Sequence, residues 1–198
     1  DVLGSEAGRL YDEVVKGLMF QVGQNDSDTC QAQMKYAALL ADAGEARTAI
    51  TQYKAAIKGW SAMLGKENST TLLPQVPLAA LLQEQGETKE ARAMMDKAVK
   101  GLAAQLGERA PDTLRSRYQY AMLLRAEGEL VAAKSRLEQL VSGWRQVNGP
   151  EAQQEVLKTQ LSLAEVLQEQ GELMPARALL ESVVSGLSRK FGANSTET

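Results

Sequence analysis

Gly17, Gly59, Gly101, Gly143 and Gly186 stand 42, 42, 42 and 43 residues apart. A second set keeps the same beat: Gly23, Gly65, Gly107, Gly149 and Gly192. So does a third: Gly44, Gly86, Gly128 and Gly171. Self-similarity at a fixed period of this size marks a stacked repeat, in which each unit buries its apolar face only against its neighbours. It overrides the ordinary reading of 198 residues as one or two globular domains.

The third set organises the unit. Seven residues before it stand Ala37, Ala79, Ala121 and Ala164, and four before it Leu40, Leu82, Leu124 and Leu167. Five after it stand Ala49, Ala91, Ala133 and Ala176, and nine after it Tyr53, Met95, Leu137 and Leu180. Spacings of three, four and seven are helical. The glycine therefore divides two helices, ending the first in a left-handed conformation. Each following glutamate (Glu45, Glu87, Glu129, Glu172) suits the positive end of the second helix. First helices are expected over about 28–43, 70–85, 112–127 and 151–170. Second helices are expected to reach about Leu64, Leu106, Val147 and Phe191.

The first glycine set falls inside the second helices, where glycine costs about 1 kcal/mol against alanine. Its expected role is close backbone contact between neighbouring hairpins. The next residue in each case (Leu18, Trp60, Leu102, Trp144, Leu187) would fill the gap. In repeat two, Pro74 marks a late start or first turn, and Pro77 is expected to bend the helix. Repeat four has one extra residue between Gly149 and Leu157, so its loop or first turn is longer.

Register divides residues 1–198 as a single array: 1–27 the second helix of a preceding repeat, then repeats at 28–69, 70–111, 112–154 and 155–198, the last running into the start of another. Residues 1–23 match only a second helix, so the expectation is a slice of a longer array. The triplets beginning at Asn25, Asn68 and Asn194 read as helix caps rather than glycosylation acceptors.

Composition narrows function by exclusion. The chain has no histidine, hence no histidine-based triad, acid–base pair or metal site. Its glycines are spaced, not clustered as in phosphate-binding loops. Cys30 is the lone cysteine, in the row of Leu72, Leu114 and Leu157, and reads as a small buried apolar residue. It excludes a disulfide framework, which fits a reducing, intracellular compartment. A net charge of −3 makes no electrostatic case for nucleic acid. No apolar run approaches the ~20 residues of a membrane span. The segment reads as non-enzymatic, without cofactor.

The pattern resembles tetratricopeptide repeats in the longer form of kinesin light chains. Pro111-Asp112-Thr113-Leu114, then Tyr120, Ala121, Leu123 and Leu124, then Gly128, Ala133 and Leu137 carry the likeness. It implies an all-α, right-handed superhelical solenoid of antiparallel helical hairpins, with first helices lining a concave groove. Candidate groove residues are then Gln31, Met34, Lys35, Leu73, Val76, Arg115, Tyr118, Gln119, Met122, Arg125, Lys158, Leu161 and Glu165. The mid-helix asparagines with which kinesin light chains hold a peptide backbone are missing here, as is the Lys/Asn clamp of chaperone adaptors. A motor-cargo role does not carry over.

One row departs from the family. The large apolar residue expected eleven before the dividing glycine is polar (Gln33, Gln75, Arg117, Gln160), and the apolar residue lies one place on (Met34, Val76, Tyr118, Leu161). Either the first helix is rotated and that row is core, or it forms an apolar ladder facing a partner helix or peptide. Three functions follow: an adaptor holding a protein partner's peptide or helix in the groove, a structural subunit docked into a large assembly by its convex or edge surface, or the interaction arm of a longer enzyme or signalling protein.

Overall fold

The computed structural model describes residues 6–191, with side chains described over 6–188. The helices are α1 (Glu6–Gln21), α2 (Ser27–Asp42), α3 (Ala46–Leu64), α4 (Ser69–Leu72), α5 (Gln75–Glu84), α6 (Thr88–Leu106), α7 (Pro111–Ala126), α8 (Leu130–Trp144), α9 (Pro150–Glu169) and α10 (Leu173–Phe191). There is no strand among the described residues. Two compact units are present, Asp1–Gly107 and Glu108–Thr198. Within each, successive helices pack on one another as hairpins: α2 with α3, α4 and α5 with α6, α7 with α8, α9 with α10.

The dividing turn shows how local chemistry makes the hairpin. Gly128 has φ +80°, a conformation that costs glycine nothing. There the amide of Glu129 donates to the Leu124 carbonyl at 2.9 Å and that of Gly128 to Arg125 at 2.9 Å. These two bonds are the Schellman ending, which satisfies carbonyls the helix would otherwise orphan. Glu129 then starts α8 through its backbone, its carbonyl accepting from Ala133 at 3.0 Å. Its carboxylate makes no capping hydrogen bond, and neither do those of Glu45 and Glu87. These glutamates place negative charge at the positive end of the helix. Asn68 caps α4, accepting from the Thr70 amide at 2.9 Å. At α2 the cap is Asp26 rather than Asn25. The triplet at Asn194 lies outside the described residues.

The periodic rows form the core. Ala37, Ala79, Ala121 and Ala164 are fully buried, as are Ala49, Ala91 and Ala133. Small side chains at these points let helix axes approach, and Leu40, Leu82 and Leu124 fill the remaining space. The mid-helix glycines are notches, but not between neighbouring hairpins as expected. Each lies against the first helix of its own hairpin. A Cβ on Gly101 would stand 2.5 Å from Leu72 Cδ1, on Gly143 3.0 Å from Leu114, and on Gly186 2.7 Å from Leu157. At Gly59 the neighbour is the Cys30 sulfur. Leu72 and Cys30 are fully buried, and burial raises the Cys30 thiol pKa. Gly17 has no first helix before it among the described residues, and a Cβ there would meet nothing within 4 Å.

Two helices depart from the common plan. The first helix of repeat two is split between α4 and α5, with Pro74 in the cap position of α5. Pro74 has no amide to continue the α4 ladder, so the break falls there. Pro77, expected to bend the helix, lies in the first turn of α5, where a missing amide goes unfelt. In unit 2, α9 starts at Pro150 directly after Gly149, so the extra residue of repeat four lengthens its first turn.

Candidate functional site

The first helices of unit 2, α7 and α9, carry eight of the thirteen candidate residues named in the sequence, from Arg115 to Arg125 and from Lys158 to Glu165. Side chains join the two helices along their length. The Tyr118 hydroxyl and Ser162 Oγ lie 2.8 Å apart, and Lys158 Nζ stands 4.6 Å above the Tyr118 ring. Arg115 pairs with Asp112 at 3.3 Å on its own helix, and with Glu151 and Glu155 (3.6 Å) of α9. Arg125 donates from Nε to Glu169 at 2.9 Å and pairs with Glu165. The hydrogen bond to Glu169 foremost raises the Arg125 pKa further, so this guanidinium is held as a cation.

The candidate arginines are therefore engaged with carboxylates of α7 and α9, leaving a different set for solvent. Leu161 is 43% exposed, Tyr118 and Met122 are half-buried, and Gln119 and Lys158 are exposed. The partners Glu151, Glu155, Ser162 and Glu169 were not among the sequence candidates. A signal for two of them existed: Tyr118 and Ser162, and Arg125 and Glu169, are each 44 residues apart, about one repeat. Complementary residues one period apart on the same helical face can meet across adjacent first helices.

Unit 1 treats the same rows differently. Gln31 and Lys35 are exposed on α2, but Met34 packs against the buried cluster of Cys30, Ala56 and Trp60. Leu73 sits half-buried at the α4–α5 break, and Val76 is buried. The shifted row thus follows neither single explanation. It is core at Val76, partly core at Met34 and Tyr118, and surface at Leu161. The polar row is not turned out either, because Gln33 and Gln160 are buried. Gln75 and Arg117 are half-buried, with the Gln75 amide donating to the Thr71 carbonyl at 3.1 Å and Arg117 reaching Glu108.

No described helix is long and apolar enough to cross a membrane. Comparison with known proteins fits this geometry. Residues 70–146 match the tetratricopeptide repeat family. A search of the curated proteins found no match. Among solved structures, a Podospora anserina protein described as a kinesin light chain with nearly identical TPR-like repeats is similar. It is 24% identical, with TM-score 0.75 over 94% of this chain and 88% of that one. BtubC (BKLC) from P. vanneervenii is 15% identical, with TM-score 0.82 over 96% of this chain and 76% of that one. MamA is 15% identical, with TM-score 0.59 over 93% and 88%. These likenesses carry the fold. Tetratricopeptide repeats are a protein-interaction fold, generally without catalysis of their own. Residues 70–146 thus match tetratricopeptide repeats, and the described hairpins share the fold of these kinesin-light-chain-like structures.

Proposed function

We propose that this chain is a non-catalytic interaction module that holds a peptide or helix of a protein partner on the face of its first helices. The repeats are taken as 28–69, 70–111, 112–154 and 155–198. One observation carries the reading: Leu161, Tyr118 and Met122 are accessible on α7 and α9 while the arginines beside them are already paired. Such a face offers apolar contact with little free charge, which suits the apolar side of an amphipathic helix or an extended apolar peptide. Tyr118 adds a large, stiff contact area of the kind that anchors interfaces.

The test compares the proteins recovered by wild type with those recovered by a Tyr118→Ala/Met122→Ala/Leu161→Ser variant. Recovery of a specific partner should fall at least tenfold with unchanged helical circular dichroism. Equal recovery removes the first-helix face from consideration.

A second reading, docking into an assembly by an edge, has its own support. Val131 is 77% exposed near the start of α8, and Leu173 and Met174 are 66% and 76% exposed at the start of α10. They occupy equivalent places just after dividing glycines. A Val131→Ser/Met174→Ser variant that loses the partner while the first-helix variant keeps it would favour this edge.

A further inference from the structure

Asn148 and Gly149 form the one Asn-Gly pair in the sequence, and they stand where the repeat's plan is broken. Helices α3 and α6 run five residues past their notch glycines, to Leu64 and Leu106. The next glycine is then held by the helix: the Gly65 amide donates to the Ser61 carbonyl at 3.1 Å, and the Gly107 amide to Ala103 at 3.0 Å. Helix α8 instead stops at Trp144, one residue past Gly143. The chain leaves it through two tight turns, Gln146 amide to Gly143 carbonyl at 3.1 Å and Val147 to Trp144 at 3.0 Å. No helical carbonyl is left for the Gly149 amide, which makes no hydrogen bond. The loop also lacks its usual anchor. In unit 1, Thr29 donates to the Gly23 carbonyl at 2.8 Å and Thr71 to Gly65 at 2.9 Å, but in repeat four the equivalent position is Val156.

The Asn148 side chain is as free as the Gly149 amide. It is exposed, and its carboxamide makes no hydrogen bond. With Trp144 and Gly149 it lines a partly open cavity of about 650 Å³, so water reaches it. The other described asparagines differ. Asn68 is tied as a cap, its Oδ1 accepting from the Thr70 amide at 2.9 Å. Asn25 precedes Asp26, whose side chain crowds the approach to its own amide.

We propose that Asn148 is a site of self-modification, converting to aspartate and isoaspartate through a cyclic imide. Hydroxide takes the Gly149 amide proton, and the nitrogen attacks Asn148 Cγ. The new N–Cγ bond forms as the Cγ–Nδ2 bond breaks, and Nδ2 leaves as ammonia with a proton from water. Water then opens the ring. Breaking N–Cγ gives aspartate; breaking the bond from the nitrogen to the Asn148 backbone carbonyl carbon gives isoaspartate. In sum one water enters and one ammonia leaves, with no change of oxidation state. Either product puts a carboxylate just ahead of α9, whose cap residue Gly149 supplies no side-chain hydrogen bond, so the new charge falls at the positive end of that helix. Isoaspartate also lengthens the backbone by a methylene. The site is separate from the first-helix face and stands whether or not that face binds a partner.

The experiment ages the whole chain in mildly alkaline buffer and locates each change by peptide mapping, with isoaspartate read by enzymatic carboxyl methylation. A peptide of residues 145–153 sets the unrestrained rate. Asn148 should convert within about threefold of the peptide's half-time, because nothing must open first. Both products should form, faster as pH rises, while Asn25 and Asn68 stay intact. Asn148→Gln should remove the signal. Leu106→Asn places the same pair on a glycine amide held by Ala103. It should convert about tenfold more slowly than Asn148, since the end of α6 must open before the nitrogen can attack. Leu64→Asn makes the same test at the end of α3 if Leu106→Asn loses its helical circular dichroism. Asn148 intact after several half-times of the peptide, or a folded Leu106→Asn or Leu64→Asn converting as fast as Asn148, would overturn the proposal.

Discussion

Units 1 and 2 are built on one beat and finish their first helices in opposite ways. In unit 1 that surface is small and interrupted: Ala38, Ala41, Pro77 and Ala80 occupy it, a proline splits the helix, and Met34 and Val76 turn inward. In unit 2 both first helices are continuous, and Arg115 and Arg125 tie α7 to α9 while Leu161 stays exposed. The notches and dividing turns are alike in both. The difference teaches that the packing rows of this fold are one problem and its outward rows another. The first must recur because every hairpin solves the same contact. The second is free to differ from repeat to repeat, and differing is how such a fold acquires a binding surface.

The sharpest way to break this picture is at a notch. Gly101→Leu forces a side chain into the space of fully buried Leu72. It should cost about 3 kcal/mol, lowering the melting midpoint of thermal circular dichroism by roughly 6–12 °C. An unchanged midpoint would sink the notch account for both units. Next in size is the unit 2 ladder. Arg125→Ala should cost about 1 kcal/mol at low salt and less at high salt; a loss insensitive to salt would mean the residue acts through packing instead. Gly17→Ala should move the other way, stabilising α1 by about 0.5–1 kcal/mol, because helix propensity improves and nothing is met. A loss of stability there would show that the glycine has a partner.

The smallest expected effect separates the units by pH. Burial, then the nearby charge of Asp42, raises the Tyr53 phenol above its ordinary 10.0. Folding therefore favours the neutral form. That contribution is complete below pH 10.0 and is lost as pH rises from there through the higher folded value. The equivalent positions in unit 2 are Leu137 and Leu180, which do not titrate. Melting temperatures from pH 9 to 11 should fall less steeply in Tyr53→Phe than in wild type, and parallel curves would contradict the sign.

Much of the fold was legible because it rests on local chemistry. Gly128 with φ +80° ends a helix whatever its surroundings, and alanines and leucines at three, four and seven name a buried stripe. The irregularity in repeat two was legible, though the sequence placed the bend at Pro77 and the helix breaks at Pro74. The candidate surface was legible only as rows. Whether Met34 or Leu161 faces out depends on a rotation of the helix about its axis, at about 100° per residue, and that angle is set by neighbouring helices. Pairing was hidden for a similar reason: Arg115 and Arg125 were counted as partner contacts, since their acidic neighbours are near only after two repeats stack.

The sequence by itself thus determined the hairpins, their dividing turns and the rows that must be buried, because backbone conformation and periodicity are properties of a chain read along its length. The tertiary structure alone decided three things. It set each notch glycine against its own hairpin's first helix, it sent one apolar row inward at Val76 and outward at Leu161, and it opened the cavity beside Trp144. Each of these depends on distances between helices that no local preference specifies.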